Sequence, residues 1–178
     1  MRADGQLDQL DDGKPVRPPL LTSRLRLRAW TEGDVDAVFA LLGSNATMGS
    51  MRAGRVHSRD EAAAWLRRRI DQHRVVGLTM WALEQQADDR LVGACGLFPQ
   101  GESLELAYIV DHRFRGRGYA TEAAIAVVTE GAQARPGSRI YATIRPGKAA
   151  SQVVAERSGL RPRERITDDF GDLLVYER

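Results

Sequence analysis

Between Leu104 and Ile144 the hydrophobic period changes twice, and this constrains the chain more than any other feature. LELAYIV reads as a strand. The stretch from about Tyr119 to Ala134 carries helical spacing and ends at Pro136 and Gly137. RIYATI then reads as a strand again. A strand that leaves through a helix and returns as a strand makes a crossover, so these two strands are expected to run parallel. Parallel strands that splay leave a crevice at their carboxyl ends. A helix N-terminus beside that crevice makes it an anion site.

The rest of the chain extends this crossover into an α+β domain with a mixed sheet. LLTSRLRLRAW alternates, with Leu25 and Leu27 on one side and Arg24, Arg26 and Arg28 on the other. Thr31 and Asp34 form an acidic variant of a capping box, opening a helix that Gly43 stops. Ser58 and Glu61 form a second box, opening a helix through Ala62, Trp65, Leu66 and Ile70. Residues 44–57 read as a loop. TMWALEQ and RLVGACGLF make a hairpin, and PQGES turns into LELAYIV. AASQVVAERSGL is a short helix ended by Gly159, and two strands follow, around Arg163–Thr167 and Leu173–Glu177. The coarse order is β-α-α-β-β-β-α-β-α-β-β.

The opening MRADGQLDQLDDGKPVRPP is polar, and residues 1–19 are expected to be a mobile tail ahead of a domain at 20–178. It has no apolar run of a signal peptide, and no later stretch reaches the length of a membrane span. Lys+Arg total 26 against 24 Asp+Glu, too even for bulk charge to imply DNA or membrane binding. Cys95 is the single cysteine, which excludes an internal disulfide and points to the reducing cytoplasm.

RFRGRGYATEA, at 113–123, fills the turn between the crossover's first strand and its helix. The first N–H groups of a helix have no partner within it. Gly116 and Gly118 carry no Cβ to keep a phosphate off those groups, and the helix dipole favours negative charge there. Arg113, Arg115 and Arg117 add guanidinium forks suited to phosphate oxygens. No Lys-Ser/Thr pair follows the glycines, so this is not a Walker A loop. Thr121 occupies the third glycine position of a dinucleotide fingerprint, and no acidic residue lies at the ribose distance.

Arg113-Phe-Arg-Gly116-Arg-Gly118-Tyr-Ala resembles the Arg/Gln-x-x-Gly-x-Gly/Ala motif of the GNAT superfamily of acetyl-CoA-dependent N-acetyltransferases. LTSRLRLRAWTEGD, RLVGACGL, LELAYIV and KAASQVVAERSGL are similar, in order, to blocks of its RimJ/RimL-type branch, covering residues 20–178. The resemblance implies a GNAT-like sheet, mostly antiparallel, with one parallel pair splayed at the cofactor crevice and helices on its flanks. It implies acetyl-CoA as co-substrate, with the diphosphate on the amides of Arg115 to Ala120, Tyr119 included. The pantetheine arm would bond the backbone near Ile109 and Val110.

The implied reaction is direct attack of a primary amine on the thioester, the acceptor being a protein N-terminus or a small-molecule amine. Glu105 is the candidate base, acting through a water; its alternative is a structural carboxylate meeting an arginine. Where many members carry an acidic tyrosine this chain has Ala155, and Ser151 stands where the RimL-like pattern places a serine that protonates the leaving thiolate. The alternative for Ser151 is helix capping. Lys148 replaces the usual asparagine, and reads either as a ligand of a coenzyme phosphate or as a solvated lysine.

Other groups carry less. Cys95 reads as core packing, His57, His73 and His112 make no metal signature, and His112 reads as a surface histidine. Arg67, Arg68 and Arg69 read as a solvated face, and Trp65 and Trp81 as core. Asp168 and Asp169 read either as an attraction for a cationic amine or as turn residues. An acyl-CoA-binding module without activity is the second hypothesis and an RNA- or ribosome-binding surface the third. Monomer and homodimer are both open.

Overall fold

The computed structural model describes residues 18–49 and 54–178. The expected tail therefore lies almost wholly outside the described residues, as does part of the loop at 44–57. Eight strands are described: β1 (Leu20–Leu21), β2 (Leu25–Arg28), β3 (Met80–Gln85), β4 (Leu91–Gln100), β5 (Ser103–Val110), β6 (Ile140–Ile144), β7 (Arg161–Asp168) and β8 (Gly171–Glu177). The helices are α1 (Val35–Gly43), α2 (Asn45–Met48), α3 (Arg59–Val76), α4 (Tyr119–Ala134) and α5 (Ala149–Arg157).

The strands form one sheet in the order β1-β2-β3-β4-β5-β6-β8-β7. The β5–β6 contact is its one parallel pair. That pair shares only Leu104–Ile140 and Glu105–Tyr141. Beyond it β5 stays paired to β4 as far as Val110, and β6 to β8 as far as Ile144. The two strands run parallel, as the crossover predicts, and splay apart after Glu105, as the resemblance implies.

Alternation along the strands sends side chains to two cores. Leu25, Leu27, Cys95, Leu97, Leu104 and Leu106 pack with Ala123, Val127 and Val128 of α4 and Val154 of α5. Met80, Ala82, Ala94 and Ile109 pack on the other face with Leu42 of α1 and Leu66 of α3. The arginines between Leu25 and Leu27 are not simply solvated. Arg26 and Arg28 reach the buried Glu84 at 2.9 and 2.7 Å, and Arg28 also reaches Asp34 at 2.7 Å.

Several boundaries differ from the sequence reading. A bend at residues 22–24 divides the first strand into β1 and β2, and the short α2 interrupts the expected loop. β4 runs through Pro99 to Gln100, leaving Gly101 and Glu102 as the turn. β3 pairs only as far as Gly96, so Pro99 lies where β4 has one neighbour and a missing N–H is tolerated. The Ser58 hydroxyl accepts from the Glu61 N–H at 3.1 Å as a capping box requires, but the Glu61 carboxylate accepts from His57 N–H at 2.7 Å.

α4 lies close over β4. A Cβ on Gly131 would stand 2.1 Å from Leu97 Cδ1. We expect Leu97→Ala to lower unfolding free energy by about 2–5 kcal/mol and Gly131→Ala to cost about 1–3 kcal/mol through overpacking. Combined, the two should cost less than their sum, because the new methyl enters the space Leu97 vacates. Denaturant titration of the four proteins checks this, and strict additivity would contradict the contact.

Candidate active site at the strand splay

Three structural pieces meet at the splay. β5 supplies an inner edge, residues 106–110, with no strand beside it among the described residues. The turn between β5 and α4 supplies backbone donors. The start of α5 faces β5 across the gap.

The turn is shaped by its glycines. Gly116 and Gly118 have φ of 75° and 80°, in the left-handed region that a side chain disfavours. A Cβ built on Gly116 meets no atom within 4 Å, and one on Gly118 meets only the Arg24 guanidinium at 3.5 Å. The backbone is therefore open to an approaching group. The first intrahelical bond runs from Glu122 N–H to the Gly118 carbonyl, so the N–H groups of Tyr119, Ala120 and Thr121 have no carbonyl within the helix. These features fit a bound diphosphate.

The guanidiniums are distributed otherwise than expected. Arg113 is held by the buried Asp111, with Nη2 at 2.7 Å and its own N–H at 2.9 Å from the carboxylate. Burial works against ionised Asp111, but the Arg113 hydrogen bonds outweigh it and hold its pKa below the usual range. Arg115 donates to the Val110 carbonyl at 3.3 Å and the Thr47 carbonyl at 2.7 Å, tying the turn to α2. Among the described residues the Arg117 side chain makes only a ring contact with Phe114, at 5.5 Å, so its fork is the one left for a phosphate. His112 is not a free surface group either. Its Nδ1 lies 3.2 Å from the Thr47 hydroxyl, which also accepts from its backbone N–H at 3.2 Å.

A clamp invisible to local sequence holds the helix start. Glu122, in the first turn of α4, accepts from the Thr22 hydroxyl at 2.5 Å, the Ser23 hydroxyl at 3.0 Å and the Arg24 N–H at 2.8 Å. Arg24 Nη2 pairs with it at 2.6 Å, while Nη1 donates to the Arg117 carbonyl at 2.9 Å. The Arg24 guanidinium also stacks 4.8 Å from the ring of buried Tyr119. An acidic residue in a first helical turn was the only signal for Glu122; Arg24 read merely as an outward strand residue.

Glu105 stands where β5 and β6 part. It accepts from the Thr143 hydroxyl of β6 at 2.7 Å rather than from the arginine that a structural role anticipated. Ile109 and Val110 lie on the β5 edge, paired on their other side to Ala94 and Gly93. Across the gap, the Tyr108 hydroxyl donates to the Ser151 carbonyl at 3.2 Å. Burial, partly offset by that bond, pushes the Tyr108 phenol up to about 12, so it stays protonated. Among the described residues the Ser151 hydroxyl bonds nothing, and Lys148 rather than Ser151 caps α5. The Lys148 side chain likewise has no hydrogen-bond or ion-pair partner among them.

Three expectations away from the cradle are settled by geometry. Cys95 is fully buried opposite Tyr108, and burial drives its thiol pKa far up, so it serves packing. Asp168 is bound by Arg145 at 2.7 Å and accepts from Phe170 N–H at 2.9 Å, which makes it a turn residue and not a free anion for an amine. Arg67 and Arg68 are exposed, but Arg69 turns inward, its guanidinium 4.8 Å from the Phe98 ring and 5.5 Å from the Trp65 ring.

The Glu122 clamp has a pH signature. Burial alone would raise this carboxyl's pKa; the bonds from Thr22, Arg24 and Ser23 overcome that and lower it below 4.5. Its stabilisation is therefore present above about 4.5 and is lost as pH falls through the depressed folded value. Glu122→Gln should lose about 1–3 kcal/mol at neutral pH and show a shallower acid decline than the parent. Denaturant midpoints across that range test it, and parallel pH profiles would contradict the clamp.

Comparison with known proteins gives one answer. Residues 24–161 match the acetyltransferase (GNAT) domain family. The uncharacterized protein YkkB of Bacillus subtilis is 30% identical over 167 residues, covering 92% of this chain and 96% of that one. A GNAT-family acetyltransferase structure from Bordetella pertussis superposes with a TM-score of 0.78 at 24% identity, covering 91% of this chain and 99% of that one. RimL, a ribosomal L7/L12 α-N-protein acetyltransferase solved with coenzyme A, superposes at 0.77 with 20% identity, covering 90% and 96%. With its glycine turn, its single parallel pair and this match, the chain belongs to the GNAT acetyltransferase family.

Proposed function

We propose that this protein transfers acetyl from acetyl-CoA to a primary amine by direct attack. The observation that carries the reading is the loss of β5–β6 pairing after Glu105, beside an open helix start at Gly116 and Gly118. The diphosphate lies on the amides from Arg115 to Ala120, with the Arg117 fork beside it. The pantetheine amides bond the unpaired β5 edge near Ile109 and Val110, as an added strand would. Coenzyme A bound to RimL, on the same fold, supports this arrangement.

The thioester carbonyl then lies in the gap beside Glu105. The amine must arrive neutral, and Glu105 takes its proton through a water. The nitrogen–carbon bond forms and the carbon–sulfur bond breaks. A backbone N–H near Val110 stabilises the carbonyl oxygen as it gains charge. The leaving sulfur takes a proton from the Ser151 hydroxyl, or from a water, at the start of α5, and the surplus proton on the acetylated nitrogen restores that donor. Tyr108 holds that turn against β5 through the Ser151 carbonyl. Lys148, one turn earlier, meets a coenzyme phosphate. Supply of acetyl-CoA and a buried, reduced Cys95 suit the cytoplasm.

Gly118→Ala should weaken acetyl-CoA binding at least tenfold in calorimetry and cost about 1–2 kcal/mol of stability, because the methyl strains the turn and crowds the phosphate. Retained affinity would contradict the cradle. Glu105→Gln should lower kcat about 10²–10⁴-fold with acetyl-CoA affinity kept. Unchanged kcat would return Glu105 to a structural role. Coenzyme binding with no turnover across peptide and amine acceptors would mark an acyl-CoA-binding module instead.

A further inference from the structure

We propose that Arg69 binds an anionic group of the acceptor, so that the amine acetylated here also carries a carboxylate. This rests on the acetyl-transfer reading of the splay above.

Arg69 differs from Arg26 and Arg28. Arg26 and Arg28 each meet a carboxylate within 3 Å. Among the described residues Arg69 meets none, and its Nε is buried without a hydrogen-bond partner. Burial, and secondarily the neighbouring Arg68, push its pKa down to about 10. The guanidinium is thus half-buried, with Nε cut off from water, yet it has no counter-ion among the described residues. Its flat faces rest near Phe98 and Trp65, and Trp65 is itself braced edge-on by Trp30 at 5.6 Å. The fork is therefore held in place before any ligand arrives.

Position gives the fork a purpose. Phe98 is the direct cross-strand neighbour of Glu105. Opposed residues in an antiparallel pair project to the same face, roughly 5 Å apart. Arg69 therefore stands one aromatic side chain away from the candidate base, on the sheet face covered by α1 and α3. Thr143, which bonds Glu105, comes from the same strand as Tyr141, whose phenol pKa is raised by burial and by the Glu105 charge. The face thus presents a carboxylate for the ammonium, an aromatic floor, and a guanidinium for a carboxylate. A free amino acid has both charges, and so does a peptide with an acidic side chain near its N-terminus. The plainer role, an arginine stem covering aromatic surface, predicts no preference between charged and neutral acceptors.

The test compares ω-amino acids with their carboxamides, and short peptides carrying Glu with the same peptides carrying Gln near the N-terminus. The parent should favour the carboxylate member by about tenfold or more in kcat/KM. Arg69→Met should bring that ratio near unity, and Arg69→Lys should leave part of it. Acetyl-CoA affinity and thermal midpoint separate this effect from misfolding; should Arg69→Met not fold, Arg69→Lys and the parent's own preference decide. Which series shows the preference distinguishes free amino acids from peptide N-termini. Calorimetric titration of the carboxylates into the coenzyme A-loaded protein adds a readout without turnover. Arg69-dependent binding with no acetylation would keep this inference and overturn the transfer reading. Acetylation indifferent to the carboxylate, or a preference that survives Arg69→Met, would overturn the inference and keep the transfer reading.

Discussion

The whole site depends on two strands that stop pairing. β5 and β6 share two residue pairs and then separate, although each keeps its outer neighbour. Backbone groups along the inner edge of β5 are thereby left without a strand partner in the middle of the sheet. Unpaired polar backbone in a protein interior costs free energy unless water or a ligand satisfies it. An extended chain carrying amide groups supplies what the missing strand would. The sheet is in this sense incomplete, and its gap sets the shape and polarity of what completes it.

A gap of this kind needs a fixed boundary at each end. At the carboxyl end of β5, Arg113 closes on Asp111 and Arg115 on the Thr47 and Val110 carbonyls. The α4 start is fastened to the β1–β2 bend by Glu122 and Arg24. Two of the three arginines beside the glycines thus hold the turn, while among the described residues the Arg117 side chain meets only the Phe114 ring. Across the gap, Tyr108 bridges to α5. An anion site built mostly of backbone donors keeps its geometry only if its neighbours are rigid, and these contacts supply that rigidity.

The succession of elements, the crossover and the glycine turn were legible in the sequence, because each follows from local periodicity or from φ requirements. The hairpin end at Pro99 was not, since a proline reads as a breaker unless the absence of a third strand is known. α2 was missed because four residues between Ser44 and Gly49 are too few to show a helical period. Within the site, Glu105, Ser151 and the glycines fall where the sequence placed them along the splay. The roles of the charged side chains were harder to read. Arg113 and Arg117 look alike in sequence, yet one is paired to Asp111 and the other meets no carboxylate among the described residues. Arg24 and Glu122 are 98 residues apart, and Arg69 sits within a run of three arginines that looked uniformly solvated. Partner choice among charges is a tertiary property, and periodicity does not carry it.

The central claim is that acetyl-CoA completes the sheet, with its diphosphate on the amides at the start of α4. Amide-resolved NMR during titration with acetyl-CoA tests this most directly. The account predicts that the largest saturable shifts fall on the N–H groups from Arg115 to Ala120 and along the β5 edge from Leu106 to Val110. Shifts confined to other surfaces, or no saturable change at these amides, would contradict it.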